Sequence, residues 1–246
     1  MKNGIGKEFM QRTQYQHLDP SEQAKGLPQP PLELAPPKGI GEEIILPKPV
    51  AAALGGRPLR QVIDQRRSLR TYVDRPLSVD ELSYLLWCTQ GVKEISPRPV
   101  TLRTVPSAGA RHPLETVVLI NRVEGFEPGL YWFLASKHRL ILFDRDPKIA
   151  DRVTEACLNQ AMVRASAATF IWIADVDRVT WHYGERGYRY LHLDAGHVCQ
   201  NLYLAAEGIG CGACAVGAFS DEGMNELLGL DGEKQFVIYL GVVGKR

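Results

Sequence analysis

The sequence predicts an α+β fold, and three observations carry that expectation. Short apolar and β-branched runs with strand character occur at 116–121, 130–134, 140–143, 167–176, 211–216 and 235–243. Segments with apolar residues at helical spacing lie between them, the longest at 186–207. The two kinds of element intermix without the strict alternation that a doubly wound parallel sheet imposes.

Residues 1–57 are a different material from the rest. Prolines at 20, 28, 30, 31, 36, 37, 47 and 49 fix φ and remove backbone donors. The expectation is an extended proline-rich arm over 1–57, wrapped on the body or on a partner subunit, followed by one folded domain over 58–246. Leu59, Val62 and Ile63 have helical spacing. Ser78 and Glu81 form a capping-box pattern that opens a helix with Leu82, Leu85 and Leu86 on one face and Gly91 as its stop. After the strand at 116–121, the runs at 130–134 and 140–143 flank Ser136-Lys137-His138 as a hairpin. Residues 147–164 read as one helix and 167–176 as a buried strand. In the helix 186–207, Leu191, Ala195, Val198, Leu202, Ala205 and Ala206 make an apolar stripe. A strand at 211–216, a capped helix at 220–228 and a buried strand at 235–243 complete the chain.

Composition excludes several function classes. Twenty-nine basic and 28 acidic residues leave a net charge of +1, so no chain-wide footprint for nucleic acid or an anionic membrane exists. No apolar run approaches the length of a membrane span, and the first 20 residues lack a secretory pattern, which points to a soluble cytoplasmic protein. The five cysteines are irregularly spaced and read as reduced thiols. Cys211 and Cys214 make a nominal C-x-x-C, but no second ligand pair accompanies it, so no metal is expected.

Three segments carry candidate chemistry. Arg66-Arg67-Ser68-Leu69-Arg70 sets three guanidinium groups and a hydroxyl in five residues. This is either a site for a multiply charged anion or a solvated basic helix end. Pro106-Ser107-Ala108-Gly109-Ala110 is a small-residue loop that lets backbone amides approach a flat ligand, or an ordinary turn. The run 208–218 is again small and glycine-rich, yet it contains neither a dinucleotide fingerprint nor a P-loop. Asp194 and His197, one turn apart, suit a metal or proton shuttle, or a satisfied helix pair. His112 is a pocket wall or a structural histidine.

Taken in order, the R-R-S-L-R cluster, R-T-V-P-S-A-G-A-R-H-P-L-E, W-H-Y-G-E-R-G-Y-R, D-A-G-H-V-C-Q-N-L-Y-L-A-A-E-G-I-G and G-A-C-A-V-G-A-F resemble nitroreductase-family flavoproteins, in particular the SagB-type (azoline oxidase-like) branch, over about residues 57–244. The resemblance implies a central mixed or antiparallel sheet flanked by helices, and a homodimer binding FMN in a cleft between subunits. It implies that Arg66, Arg67, Ser68 and Arg70 hold the phosphate, ribityl chain and pyrimidine edge. Pro106, Ser107, Ala108, Gly109 and Ala110 would lie on the flavin ring from the other subunit. Ala215, Val216, Gly217 and Ala218 would face it too, with the Gly217 N–H toward N5. Lys245 and Arg246 either add charge at the phosphate or form a solubilising tail. His182-Tyr183 stands where azoline-oxidising relatives carry Lys-Tyr, and His182 can act as a base near neutral pH. The implied activity is hydride transfer through the flavin between NAD(P)H or an organic donor and a small oxidised substrate, nitroaromatic or quinone-like. Thiazoline or oxazoline peptide dehydrogenation, and flavin binding without turnover, are the alternatives.

Overall fold

The computed structural model describes residues 4–37, 41–49, 56–97 and 99–246. Its centre is a seven-stranded antiparallel sheet in the order β1-β6-β5-β4-β7-β9-β8. These are β1 (Glu43–Ile45), β4 (Leu114–Ile120), β5 (Gly129–Leu134), β6 (Arg139–Asp144), β7 (Ala168–Asp175), β8 (Cys211–Val216) and β9 (Gln235–Lys245). β4, β5 and β7 are buried along their whole length. Alternation sends Val118 and Ile120 into one core and Val117 and Leu119 into the other. A sheet covered on both faces therefore shows unbroken apolar runs even though its strands are antiparallel.

The first face is covered by α3 (Val79–Gln90) and α7 (Gly187–Gly208), which bring Leu82, Leu85, Leu86, Leu191, Val198 and Leu202 against Phe170 and Trp172. The second face is covered by α4 (Ile149–Ala156), α5 (Met162–Ala165) and α8 (Asp221–Leu228), through Ile149, Val153, Val163, Met224 and Leu228. Both halves of the Ser78–Glu81 capping box form. Gly91 ends α3 at φ −55°, without the left-handed turn of a usual glycine stop; a Cβ there would fall 2.5 Å from the Trp87 ring, so close approach is what requires glycine.

Two expectations need correction, and two elements were not foreseen. The single helix over 147–164 is two, α4 and α5, because Leu158 and Asn159 adopt left-handed φ of 56° and 58°. The arm has regular structure: α1 (Ile5–Arg12), a 3-10 turn at Tyr15–His17, and β1, which pairs with β6. All its prolines lie at residue 20 or later, so nothing prevents a helix before them, and β1 sits between Pro37 and Pro47. The segment after β7 is a further helix, α6 (Val176–Tyr183), whose β-branched Val176, Val179 and Thr180 give weak helical propensity that buried ion pairs override. A separate two-stranded sheet, β2 (Val92–Ile95) with β3 (Thr101–Arg103), was not legible either.

One packing detail positions the site. β8 is an edge strand, and the chain leaving α2 (Leu59–Gln65) runs beside it, with a parallel bridge between Ser68 and Ala213 and a 2.9 Å bond from Leu69 N to Ala213 O. Gly212 permits this, since a Cβ on it would lie 2.3 Å from the Leu69 side chain.

Candidate functional site

Two groups of predicted residues assemble, each at its own end of α7. The first gathers around Tyr203. The Arg66 guanidinium lies over the Tyr203 ring at 5.2 Å, the Ser68 hydroxyl is 3.0 Å from its phenol oxygen, and that oxygen accepts from the Ala215 N–H at 2.7 Å. One phenol therefore ties the arginine segment to the glycine-rich strand. Arg67, Arg70, Gly217 and Ala218 are exposed beside it, and Val216 is buried in the β8–β9 pairing opposite Leu240. Among the described residues, no carboxylate is ion-paired with Arg66, Arg67 or Arg70.

Lys245 and Arg246 behave differently. Lys245 belongs to β9 opposite Cys211, and its ammonium pairs with Glu81. Arg246 pairs with the buried Glu207, which Arg57 also reaches at 3.2 Å. These cations are structural partners of carboxylates in this chain, and the reading of a loose solubilising tail does not hold for Lys245.

The second group surrounds the 106–112 loop. Gly109, Ala110 and His112 take left-handed φ of 57°, 53° and 45°, so the turn must be held by its surroundings. Ser107 donates its hydroxyl proton to Asp194 of α7 and accepts from the His112 N–H at 2.8 Å. The Ala108 N–H also donates to Asp194. Arg111 donates to Gly109 O at 2.9 Å, and Arg178 donates to His112 O at 2.8 Å. Pro106 stands exposed at the loop's start.

Beneath the loop lies a buried ionic cluster. Arg178 contacts Glu115 at 2.6 Å and Asp175 at 2.9 Å, with all three side chains at most 7% exposed. Burial raises the Asp175 carboxyl against the pull of Arg178. Burial works against the Arg178 guanidinium as well, but Glu115 and Asp175 outweigh it and leave it more basic than usual. Burial, with Arg103 and Arg178 adding to it, pushes His112 down to about 3, so it is a neutral structural imidazole. Burial likewise raises Asp194, against the Ser107 and Ala108 donors and nearby His197. Asp194 is thus a loop anchor, and His197 is exposed on the helix surface.

His182 and Tyr183 end α6 beside this loop. The Tyr183 hydroxyl is so close to Gly109 that a Cβ there would meet it at 2.8 Å. Its ring stands edge-on to His182 at 4.3 Å and to Tyr190 at 4.7 Å. Burial raises the Tyr183 phenol, which makes it a proton-bearing donor near neutral pH. Cys211 and Cys214, three apart on a strand, point into opposite cores.

Sequence reasoning missed Tyr203 and Arg178, and found Asp194 without its role. Tyr203 carried one available signal, a polar-tipped aromatic next to an apolar helix stripe. Arg178 carried only the acidic Asp175 three residues before it, since Glu115 and the His112 carbonyl come from distant parts of the chain. Between Asp194 and Tyr203 the helix advances roughly 14 Å, so the two groups do not touch across α7.

The pattern matches a known family model, the Nitroreductase family, over residues 63–245. The chain belongs to the nitroreductase family. It is 36% identical over 188 residues to MJ1384 of Methanocaldococcus jannaschii, a nitroreductase by name, covering 76% of this chain and 91% of that one. A 112-residue stretch, 44% of this chain, is 32% identical to the trifolitoxin-processing protein TfxB of Rhizobium leguminosarum bv. trifolii, of which it spans 30%. Among solved nitroreductase-type structures, one from Ralstonia eutropha JMP134 superposes with TM-score 0.67 at 23% identity, over 89% of this chain and 98% of that one. Another, from Anabaena variabilis, gives 0.62 at 30% identity over 76% of this chain and 38% of that one. More distant folds, each 18% identical, are the E. coli microcin synthetase McbBCD complex at TM-score 0.63, over 97% of this chain and 86% of that one, and the Vibrio harveyi NADPH:FMN oxidoreductase at 0.55, over 76% and 68%. Among the described residues, no helix is long and apolar enough to cross a membrane.

Proposed function

We propose that this nitroreductase-family oxidoreductase uses FMN, carrying reducing equivalents from NAD(P)H or an organic donor to a small nitroaromatic or quinone-like substrate. The observation that carries this reading is the first group: three guanidinium groups with no carboxylate partner among the described residues, beside Ser68, Tyr203 and the exposed backbone at Gly217. That donor set fits a phosphate and a polar flavin edge. The flavin, when bound, supplies the hydride chemistry.

The chain's own residues do the rest. Arg66, Arg67, Ser68 and Arg70 bind the anionic end, with Arg66 held in place by the Tyr203 ring. The exposed backbone at Gly217 and Ala218 offers N–H donors, and the 106–110 loop supplies a small, rigid wall. Because the two groups are separated along α7, we assign the loop wall to a second copy of the chain, which gives a homodimer with the cofactor between subunits. Leu193, 57% exposed, and Gly196 lie on the outward face of α7, where such a copy would pack. Tyr183 and His182 then face the substrate, with Tyr183 donating a proton.

A second reading is oxidation of an azoline-bearing peptide. The likeness to the McbBCD fold extends over 97% of the chain, arm included, and His182-Tyr183 sits at the loop wall. Purified protein titrated with FMN and then reduced anaerobically with NADH or NADPH tests the first reading. Replacing both Arg66 and Arg70 with Ala should weaken FMN binding by about 10²-fold or more, since a hydrogen bond to a charged group is worth roughly 1.5–3 kcal/mol. Unchanged affinity defeats the site assignment. Bound flavin that cannot be reduced and reoxidised would leave only a flavin-binding protein. Turnover of a thiazoline peptide but of no nitroaromatic or quinone would establish the second reading.

A further inference from the structure

The arm is fastened to the body at points spread from α1 to residue 34. Arg186 donates to Thr13 O at 2.9 Å, and Arg189 donates to Thr13 Oγ1 at 2.6 Å and to Met10 O. Farther along, Gln23 N donates to Trp181 O and Trp181 Nε1 donates to Leu27 O, each at 2.9 Å. Gln29 Nε2 donates to Pro99 O at 2.6 Å, and the Glu33 carboxylate accepts from the Ser136 N–H at 3.2 Å and from its hydroxyl. All these arm residues precede the family-matched segment 63–245, so the contacts are what this chain adds to the shared domain.

Two routes lead from the arm to the 106–112 loop. The first runs through Glu115. Leu34 N donates to Glu115 Oε1 at 2.8 Å, and the same oxygen takes Arg178 Nη2 at 2.6 Å. Arg178 Nη1 in turn donates to His112 O. The Glu115 and Arg178 side chains are 1% and 2% exposed, so losing the Leu34 N–H leaves a buried carboxylate oxygen short of a donor. The second route runs through Trp181. The arm holds its indole N–H while the Arg111 guanidinium lies over its ring at 5.5 Å, and Arg111 Nε donates to Gly109 O. Tyr183, two residues later in α6, sets its hydroxyl against Gly109. Each route therefore ends on a carbonyl of the loop.

The loop needs support from outside itself. Ala110 and His112 hold left-handed φ of 53° and 45°, where a side chain is strained. On its inner side Ser107 and Ala108 donate to Asp194 of α7. Its carbonyls at 109 and 112 are held by Arg111 and Arg178, the two side chains that the arm reaches through a single intermediate residue.

We propose that the arm is a clamp on the 106–112 loop, with Glu115 and Trp181 as the positioning residues that pass its grip to the two loop carbonyls. Seated, the arm keeps the loop in its left-handed form before any ligand arrives. Loosened, it lets the backbone from Gly109 to His112 relax, and the wall loses its shape. That the wall serves a flavin rests on the function proposed above; the clamp itself does not.

The test uses full-length protein and two variants. Gln29→Ala with Glu33→Ala removes the side chains that seat Leu34. Trp181→Phe removes the donor to Leu27 O but keeps a ring under Arg111. Hydrogen exchange read by mass spectrometry reports the loop without cofactor, through the N–H groups of Ala108, Ala110, Arg111 and His112. Each variant should speed exchange of the 107–112 segment about tenfold, the scale of one or two hydrogen bonds. β4, β7 and the Leu69 N–H at the β8 edge should keep their wild-type rates. Glu33→Gln alone retains an acceptor for Ser136 and should exchange as the wild type does. Unchanged loop exchange in either of the first two variants overturns the two-route clamp. So does a rise matched in β4 and β7, which is general destabilisation. Added FMN separates the clamp from the flavin reading, since saturating FMN should slow loop exchange in the wild type. A wild type that binds FMN with no change at the loop refutes the loop as flavin wall, and one that binds none refutes the flavin function. In both cases the cofactor-free rates still decide the clamp.

Discussion

Replacing Arg178 with Met removes the cation of a buried cluster while keeping most of the side-chain volume. Arg178 makes four close contacts: to Glu115 at 2.6 Å, to Asp175 at 2.9 and 3.1 Å, and to the His112 carbonyl at 2.8 Å. The substitution leaves two carboxylates in a site only 1% and 7% exposed, without the guanidinium that both of them pair with. Orphaning a buried charge in this way costs about 3–5 kcal/mol. For a chain of this size that lowers Tm by roughly 6–20 °C, at about 2–4 °C per kcal/mol. The cost has a pH signature. Asp175 is already raised by burial and Arg178 is what holds it down, so without Arg178 the cluster stays folded only by taking up protons. A raised folded-state carboxyl costs stability above its unfolded pKa, by up to about 1.4 kcal/mol per pH unit per group, and the cost shrinks as pH falls. Urea unfolding of wild type and Arg178→Met, near neutral pH and again at about pH 5, should therefore show a larger difference at the higher pH. The triple variant Glu115→Gln, Asp175→Asn, Arg178→Met should recover much of the loss, since it removes the three paired charges together. A penalty below about 1 kcal/mol, or one independent of pH, would refute this account of the cluster.

Two further perturbations probe the site from other directions. Gly212→Ala places a methyl where only 2.3 Å separates it from Leu69, so it should cost about 1–3 kcal/mol and loosen the arginine segment; thermal unfolding and FMN titration together read both effects. His112, held at about 3, binds fewer protons folded than unfolded between that value and the ordinary 6.5, so it contributes to a loss of stability as pH falls through this window. His112→Asn tolerates the left-handed φ of 45° and should flatten the stability profile between about pH 6.5 and 4; an unchanged slope in urea unfolding contradicts the assignment.

Local pattern fixed the elements whose signals lie within a few residues of one another. The Ser78–Glu81 box, the α7 stripe, the β5–β6 hairpin and the buried runs of β4 and β7 were legible because periodicity and capping are short-range properties. The same holds for the arginine cluster and the 106–110 loop as chemically distinctive stretches. By contrast, α6 opens with residues of poor helical propensity and is stabilised by Glu115 and Asp175 from other elements, so its own sequence understates it. The break between α4 and α5 turns on two left-handed residues that a helical pattern does not exclude.

Tertiary structure alone decided which chemistry meets which. It placed Tyr203 between Arg66, Ser68 and Ala215, although these residues are up to 149 positions apart in the chain. It consumed the charge of Lys245 and Arg246 on Glu81 and Glu207 while leaving Arg66, Arg67 and Arg70 without a carboxylate partner among the described residues. It also brought Tyr15 of the arm to Tyr190, a contact across 175 residues. The sequence by itself determined the layers of the fold and the clustering of three guanidinium groups in one segment, because both follow from side-chain type and local spacing. Which donors stay available to a ligand depends on which charges the fold has already neutralised, and that is set by contacts no local pattern encodes.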